Sequence, residues 1–163
     1  MNSRYHSIPA IPGEISTSNT ICRMLAGIGF RFYWATEELS NELYTFRPGE
    51  GARSIGETVE HIWDLLNWTY RAIEPAGTTK PSGATQLREG TLELIEILEE
   101  SFSKLDNDEL ADIKIHKQPF WLIINGPLSD ILTHIGQITT LRRISGSPAP
   151  VSNPFMGTPP PGK

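Results

Sequence analysis

Asp130 and His134 stand four residues apart in GPLSDILTHIGQITTLRRI, residues 126–144. At about 100° per residue, Ser129, Thr133, Gly136, Thr140 and Arg143 gather on one small or polar stripe that should face water. Leu128, Ile131, Leu132, Ile135, Ile138 and Leu141 fall elsewhere, so this helix is expected to be buried around most of its circumference. The spacing stacks the carboxylate over the imidazole, and the wheel turns both toward the buried side. A charge buried without a partner is costly, so such groups pair, hydrogen-bond or bind a metal. Cation coordination is the working expectation for this pair. A second histidine, His61, aligns with Leu65 and Trp68 at the shoulder of another helix's apolar face, turned inward. Alone, a histidine there is most simply a boundary residue satisfied by its neighbours.

Four helical segments would have to position these groups. The first starts near Ser16 and carries Ile21, Leu25, Ile28, Phe32, Ala35 and Leu39 at alternating four and three residues, with Leu43 continuing the line. Phe30, Tyr33 and Trp34 lie off that stripe and suit a second neighbour, a pocket or another subunit. Pro48, Gly49 and Gly51 break the helix, and Ser54 with Glu57 three residues on has the spacing of a capping box. The second helix, about 55–73, should bury Ile55, Val59, Ile62, Leu65, Leu66 and Ile73, with Glu57, Glu60, Asp64, Asn67 and Arg71 wet. A Pro/Gly/Thr-rich loop, 74–85, leads to a third helix, about 86–105, with Leu87, Leu94, Ile95, Leu98, Phe102 and Leu105 inside. Its Glu89, Glu93, Glu96, Glu99 and Glu100 read as a solvated face, because unbalanced buried carboxylates would repel one another.

Residues 106–126 form a long connection with room for a helical turn near 108–111 and for short extended pieces or an early start of the last helix. His116, between two lysines, should be exposed. Pro127 suits the first position of the fourth helix, and Gly146 ends it. The expected organisation is an extended lead-in, 1–15, in which His6 is solvated, one helical domain, 16–146, and a tail, 147–163. Six prolines keep that tail from regular structure, and Val151, Phe155 and Met156 are the groups expected to pin it.

With 163 residues the chain is long enough for one domain with a real core. Nineteen acidic against fourteen basic residues give a net charge of −5, which argues against a nucleic-acid partner needing a basic stripe. No membrane span and no signal peptide are read, so a cytoplasmic protein is expected. The single Cys22 excludes an internal disulfide and a thiolate-rich metal site, and reads as a small helical residue.

FRPGEGARSIGETVEHIWDLL and THIGQITTLRRISGSP resemble the DinB/YfiT-like superfamily of all-α four-helix bundles across most of residues 17–150. The first stretch matches that family's proline–glycine turn, capped helix and histidine; the second matches its histidine followed by Gly-Gln-Ile. The resemblance implies a metal site with one histidine on the second helix and two spaced by four on the last. His61 takes the first place and His134 the third, while Asp130 stands where the family carries histidine. Two histidines and a carboxylate suit one divalent zinc, iron, nickel or manganese ion. Gln137, one turn past His134, and Glu57, one turn before His61, are within reach as outer partners. The resemblance further implies a homodimer and a small-molecule substrate, by metal-activated transfer to or from a low-molecular-weight thiol or by hydrolysis. Two other readings use the same residues: a non-catalytic bundle binding a small ligand, with Asp130 and His134 a buried structural pair, and a partner-binding scaffold showing an exposed aromatic patch at Phe30, Tyr33 and Trp34.

Overall fold

Ser16 accepts the Asn19 amide on its hydroxyl and opens α1, Thr17–Thr36, in the computed structural model, which describes residues 4–163. The first three residues of the expected lead-in lie outside that range. α1 stops short of the predicted stripe. Arg142, from the far end of the chain, donates to the carbonyls of Ala35 and Glu37, so the acceptors that would extend the helix are taken. Glu38 then adopts φ 57, and the chain resumes in the short α2, Asn41–Thr45, capped by Ser40. Leu39 and Leu43 are therefore half-buried rather than central.

Ser54 and Glu57 form the capping box and open α3, Ile55–Tyr70. Ile55, Val59, Ile62, Leu65 and Leu66 are buried as the period requires, and Ile73 lies half-buried beyond the helix end. Asn67 departs from its expected wet position. Its side-chain carbonyl accepts the Thr78 amide at 2.9 Å, which ties the following loop back over the helix and buries the residue.

α4, Ala84–Ser103, corrects the reading of its glutamates at one position. Glu99 is only 5% exposed, because the 3₁₀ turn Arg4–His6 folds back across α1 and α4. The Tyr5 hydroxyl donates to Glu99 at 2.5 Å and Arg4 pairs with its second oxygen at 3.0 Å, so the buried carboxylate is neutralised by long-range partners. Gly29 makes the crossing possible, since a Cβ there would sit 2.4 Å from the Tyr5 ring. The same turn leaves His6 half-buried against Tyr33 and Trp34, with its carbonyl accepting the Trp34 indole N–H. Phe30, Tyr33 and Trp34 are accordingly buried by their own chain, and the exposed aromatic patch expected of a scaffold does not form.

The connection contains both alternatives read from it. α5, Asn107–Asp112, is followed by an antiparallel hairpin of β1, Lys114–Ile115, and β2, Gln118–Pro119, then α6, Trp121–Ile123. The exposed His116 occupies the hairpin turn at φ 48. One wide π turn, Ile124–Leu128, joins α6 to α7, Ser129–Ile144. Pro127 has no N–H to give to an ordinary helical turn, and the Ser129 hydroxyl fills the widened one by donating to Ile124 O at 2.7 Å. α1 packs against α4 and α7, and α3 packs against the same two. Among the described residues no helix is long and apolar enough to cross a membrane.

Gly146, at φ 82, closes α7 as expected. The tail is held differently from the expectation, for Val151, Phe155 and Met156 are all exposed. Backbone groups hold it instead: Asn153 bridges to Thr158, and Gly157 O accepts the Ile8 amide at 2.9 Å. Lys163 adds an ion pair to Glu38. Prolines leave few amides for a ladder, so a single bridge and one long-range carbonyl are what the segment can offer.

Candidate metal centre

α3 and α7 pack side by side, and their facing surfaces bring His61 to Asp130 and His134. His61 Nε2 lies 3.9 Å from Asp130 Oδ2, and His134 Nε2 lies 3.4 Å from the same oxygen. The two imidazoles meet edge to face, with ring centroids 4.6 Å apart. One ligand atom from each residue lies within 4.8 Å of the others, so the three form a group that could hold a metal ion.

These separations exceed a normal N–H···O hydrogen bond, about 2.7–3.2 Å. Ligand atoms held about 2.0–2.2 Å from a tetrahedral zinc end about 3.4 Å apart, which is the spacing of His134 from Asp130. The His61 side is wider, 3.9 Å from Asp130 with the whole group within 4.8 Å, so closing on an ion requires the half-exposed His61 ring to swing inward by about an ångström. Among the described residues, the side chains of His61 and Asp130 make no hydrogen bond, although their polar atoms converge. A donor set of two imidazoles and one carboxylate fits a divalent transition metal.

Asp130 is not on the buried side. Its side chain is 47% exposed, whereas that of His134 is 9% exposed. On the wheel of α7 itself Asp130 stands between Leu141 and the exposed Gln137, so it falls at the rim of the buried face. That exposure, and the lack of a hydrogen bond, disagree with a buried Asp130–His134 structural pair.

Of the two outer partners expected, the structure places one. Gln137 Oε1 lies 2.8 Å from His134 Nδ1, so Nδ1 carries the proton and Nε2 presents its lone pair to the centre. Glu57 instead spends its carboxylate on the Ser54 amide and Arg47, because the third position of a capped helix points back toward the cap. For His61, burial lowers the imidazole pKa most, and the charges of Arg53 and His134 lower it further, against the opposite pull of Asp130 and Asp64. The ring is thereby kept neutral, the form a metal ligand needs. Arg53 was not singled out in the sequence; its place beside the Ser54 cap was the only signal available.

Two cavities lie near the centre, and of its three residues only Asp130 lines one of them, the second. Arg53, Thr58, Thr133, Gln137 and Leu141 line a cavity of about 680 Å³. Leu65, Trp68, Asp130 and Thr133 line a shallower one of about 360 Å³. Comparison with protein-family models, with curated proteins and with solved structures finds no match for this chain.

Removing the amide of Gln137 tests its role directly. Gln137→Ala is expected to weaken zinc binding about ten- to a hundredfold and to leave thermal stability of the metal-free protein unchanged, since the side chain is exposed. Competition with a chromophoric chelator measures the first, and a melting curve the second.

Proposed function

We propose that this chain is a DinB/YfiT-like four-helix bundle that holds one divalent transition metal on His61, Asp130 and His134 and acts as a metal-dependent transferase or hydrolase on a small molecule. The observation that carries the reading is the convergence of three ligand atoms from α3 and α7 that are not hydrogen-bonded to one another. The packing of α1 and α3 against both α4 and α7 supports the bundle.

A divalent ion supplies Lewis acidity, which favours the deprotonated form of a thiol or of water at neutral pH. The chain's own residues do the rest. Gln137 fixes the tautomer of His134, and burial with the charge of Arg53 keeps His61 unprotonated. Thr58, Thr133 and Leu141 give the larger cavity a mixed wall, and Arg53 puts a cation at its edge to orient an anionic or polar substrate. An open centre beside partly apolar walls suits a low-molecular-weight thiol as the nucleophile, so S-transfer is the preferred reaction and hydrolysis the alternative. A homodimer is part of the proposal through the family resemblance.

Elemental analysis of untagged protein is the deciding experiment. The reading requires about one divalent ion per chain, as a three-ligand site takes, removable by chelation without unfolding. Thiol consumption in the presence of a small alkyl halide should then depend on that ion. Metal content well below one per chain after growth in metal-replete medium sinks the proposal.

A further inference from the structure

A third cavity, of about 510 Å³, lies between α1, α7 and the proline-rich tail, and does not include any residue of the metal centre. Its floor is apolar: Trp34 and Ala35 from α1, Leu132 and Ile135 from α7. Pro150 and Pro154 of the tail close one side. Two guanidinium groups, Arg31 and Arg143, also line it, and no carboxylate does.

That charge distribution runs against the rest of the molecule. Acidic residues outnumber basic ones by nineteen to fourteen. Arg4, Arg47 and Arg88 each pair with glutamates, Arg23 and Arg142 donate to backbone carbonyls, and the guanidinium groups of Arg53 and Arg71, on other faces, have neither kind of partner among the described residues. The guanidinium groups of Arg31 and Arg143 have neither a hydrogen bond nor an ion pair among the described residues, and they come from different helices to the same cavity. An oxyanion seated in this cavity would take up their forked donors. Thr139 and Ser152 add hydroxyls to the lining. The volume is that of a small-ligand pocket rather than of a single hydrated ion.

We infer that this cavity is a binding site for a small organic oxyanion, a phosphate ester or carboxylate carried on an apolar body, with Arg31 and Arg143 holding the anion and Trp34, Leu132 and Ile135 the body. The inference is independent of the metal reading.

Isothermal titration of the full chain, stripped of metal on a chelating resin, uses phenyl phosphate, benzoate and inorganic phosphate as probes. One saturable site is expected for phenyl phosphate or benzoate, tighter than for inorganic phosphate, and the tighter of the two organic probes names the oxyanion. Arg31→Gln and Arg143→Gln should each weaken it about tenfold, the loss expected for one charge-assisted contact. His134→Ala should leave it unchanged. Both arginines are exposed, so their variants should fold, and a melting curve checks this. Absence of saturable binding overturns the inference, as does binding that both arginine variants retain at full strength or that His134→Ala abolishes.

Discussion

His134→Ala is expected to lose zinc binding by roughly a hundredfold or more, exceeding the ten- to hundredfold typical of outer partners, while the helices stay folded. His134 supplies the most buried ligand atom of the three, and its tautomer is already set by Gln137. Deleting the ring removes one ligand and strands the others, Asp130 at the exposed edge and His61 on the opposite helix. His61→Ala should give a comparable loss, since neither remaining pair can close around an ion alone. Melting curves separate binding from folding. Zinc at a thousandfold excess over its dissociation constant stabilises a folded site by about 4 kcal/mol, so the parent's transition should rise with added zinc and the variants' should not. A parent transition indifferent to zinc, or a variant that still responds fully, would overturn the assignment. Acidification gives an independent check. Because the folded pKa of His61 is depressed, its neutral form persists below the pH at which a free imidazole protonates. The share of the pH dependence of zinc affinity that belongs to His61 should therefore set in below the ordinary histidine range. The same sign applies to stability: the contribution of the buried neutral ring is present above the unfolded pKa and is lost as pH falls through the folded one.

The helices were legible wherever burial follows a single helix's own period. Ser54 and Glu57 announced a cap, and the apolar stripe of α3 fell where the wheel put it. His61, Asp130 and His134 could be grouped from sequence because four-residue spacing fixes one pair and family resemblance supplied the third. Illegible were the features decided by groups distant in the chain. Glu99 looked like its neighbouring glutamates until Arg4 and Tyr5 crossed over it, a contact spanning more than ninety positions. The end of α1 looked continuous until Arg142 claimed its carbonyls.

The centre differs, because its correction is local. Stacking over His134 suggests an inward Asp130, but on the same wheel it stands between Leu141 and the exposed Gln137, at the rim of the buried face. The correction matters chemically. A half-exposed carboxylate leaves the centre open toward the cavity of Leu65 and Trp68, whereas an interior one would have closed it. Phe30, Tyr33 and Trp34 read as packing against a second neighbour, a pocket or another subunit, and which of these covers them was illegible because Arg4–His6 has no helical pattern to announce it.

Arg142→Leu is expected to destabilise the fold by about 3 kcal/mol, the largest loss from any exchange outside the apolar core. Arg142 is 2% exposed and donates to three carbonyls, Ala35 at 3.0 Å, Glu37 at 2.7 Å and Ser147 at 3.0 Å. Those acceptors belong to the end of α1 and to the turn after α7, so one side chain joins the two helix ends. Leucine fills part of the volume but offers no donor, and three carbonyls then depend on whatever water can enter. Lysine retains the charge on a compact head that cannot span all three, so Arg142→Lys should recover only part of the loss. In a domain of this size each kcal/mol moves the melting temperature by about 2–4 °C, which puts Arg142→Leu about 6–12 °C below the parent. Arg143→Gln is the internal control. It removes the same charge from the next position of α7, where the guanidinium makes no hydrogen bond among the described residues, and should shift the transition by less than about 0.5 kcal/mol. If the two variants melt together, the stabilisation comes from charge at the end of α7 rather than from the carbonyls Arg142 reaches, and the account of why α1 ends at Thr36 fails with it.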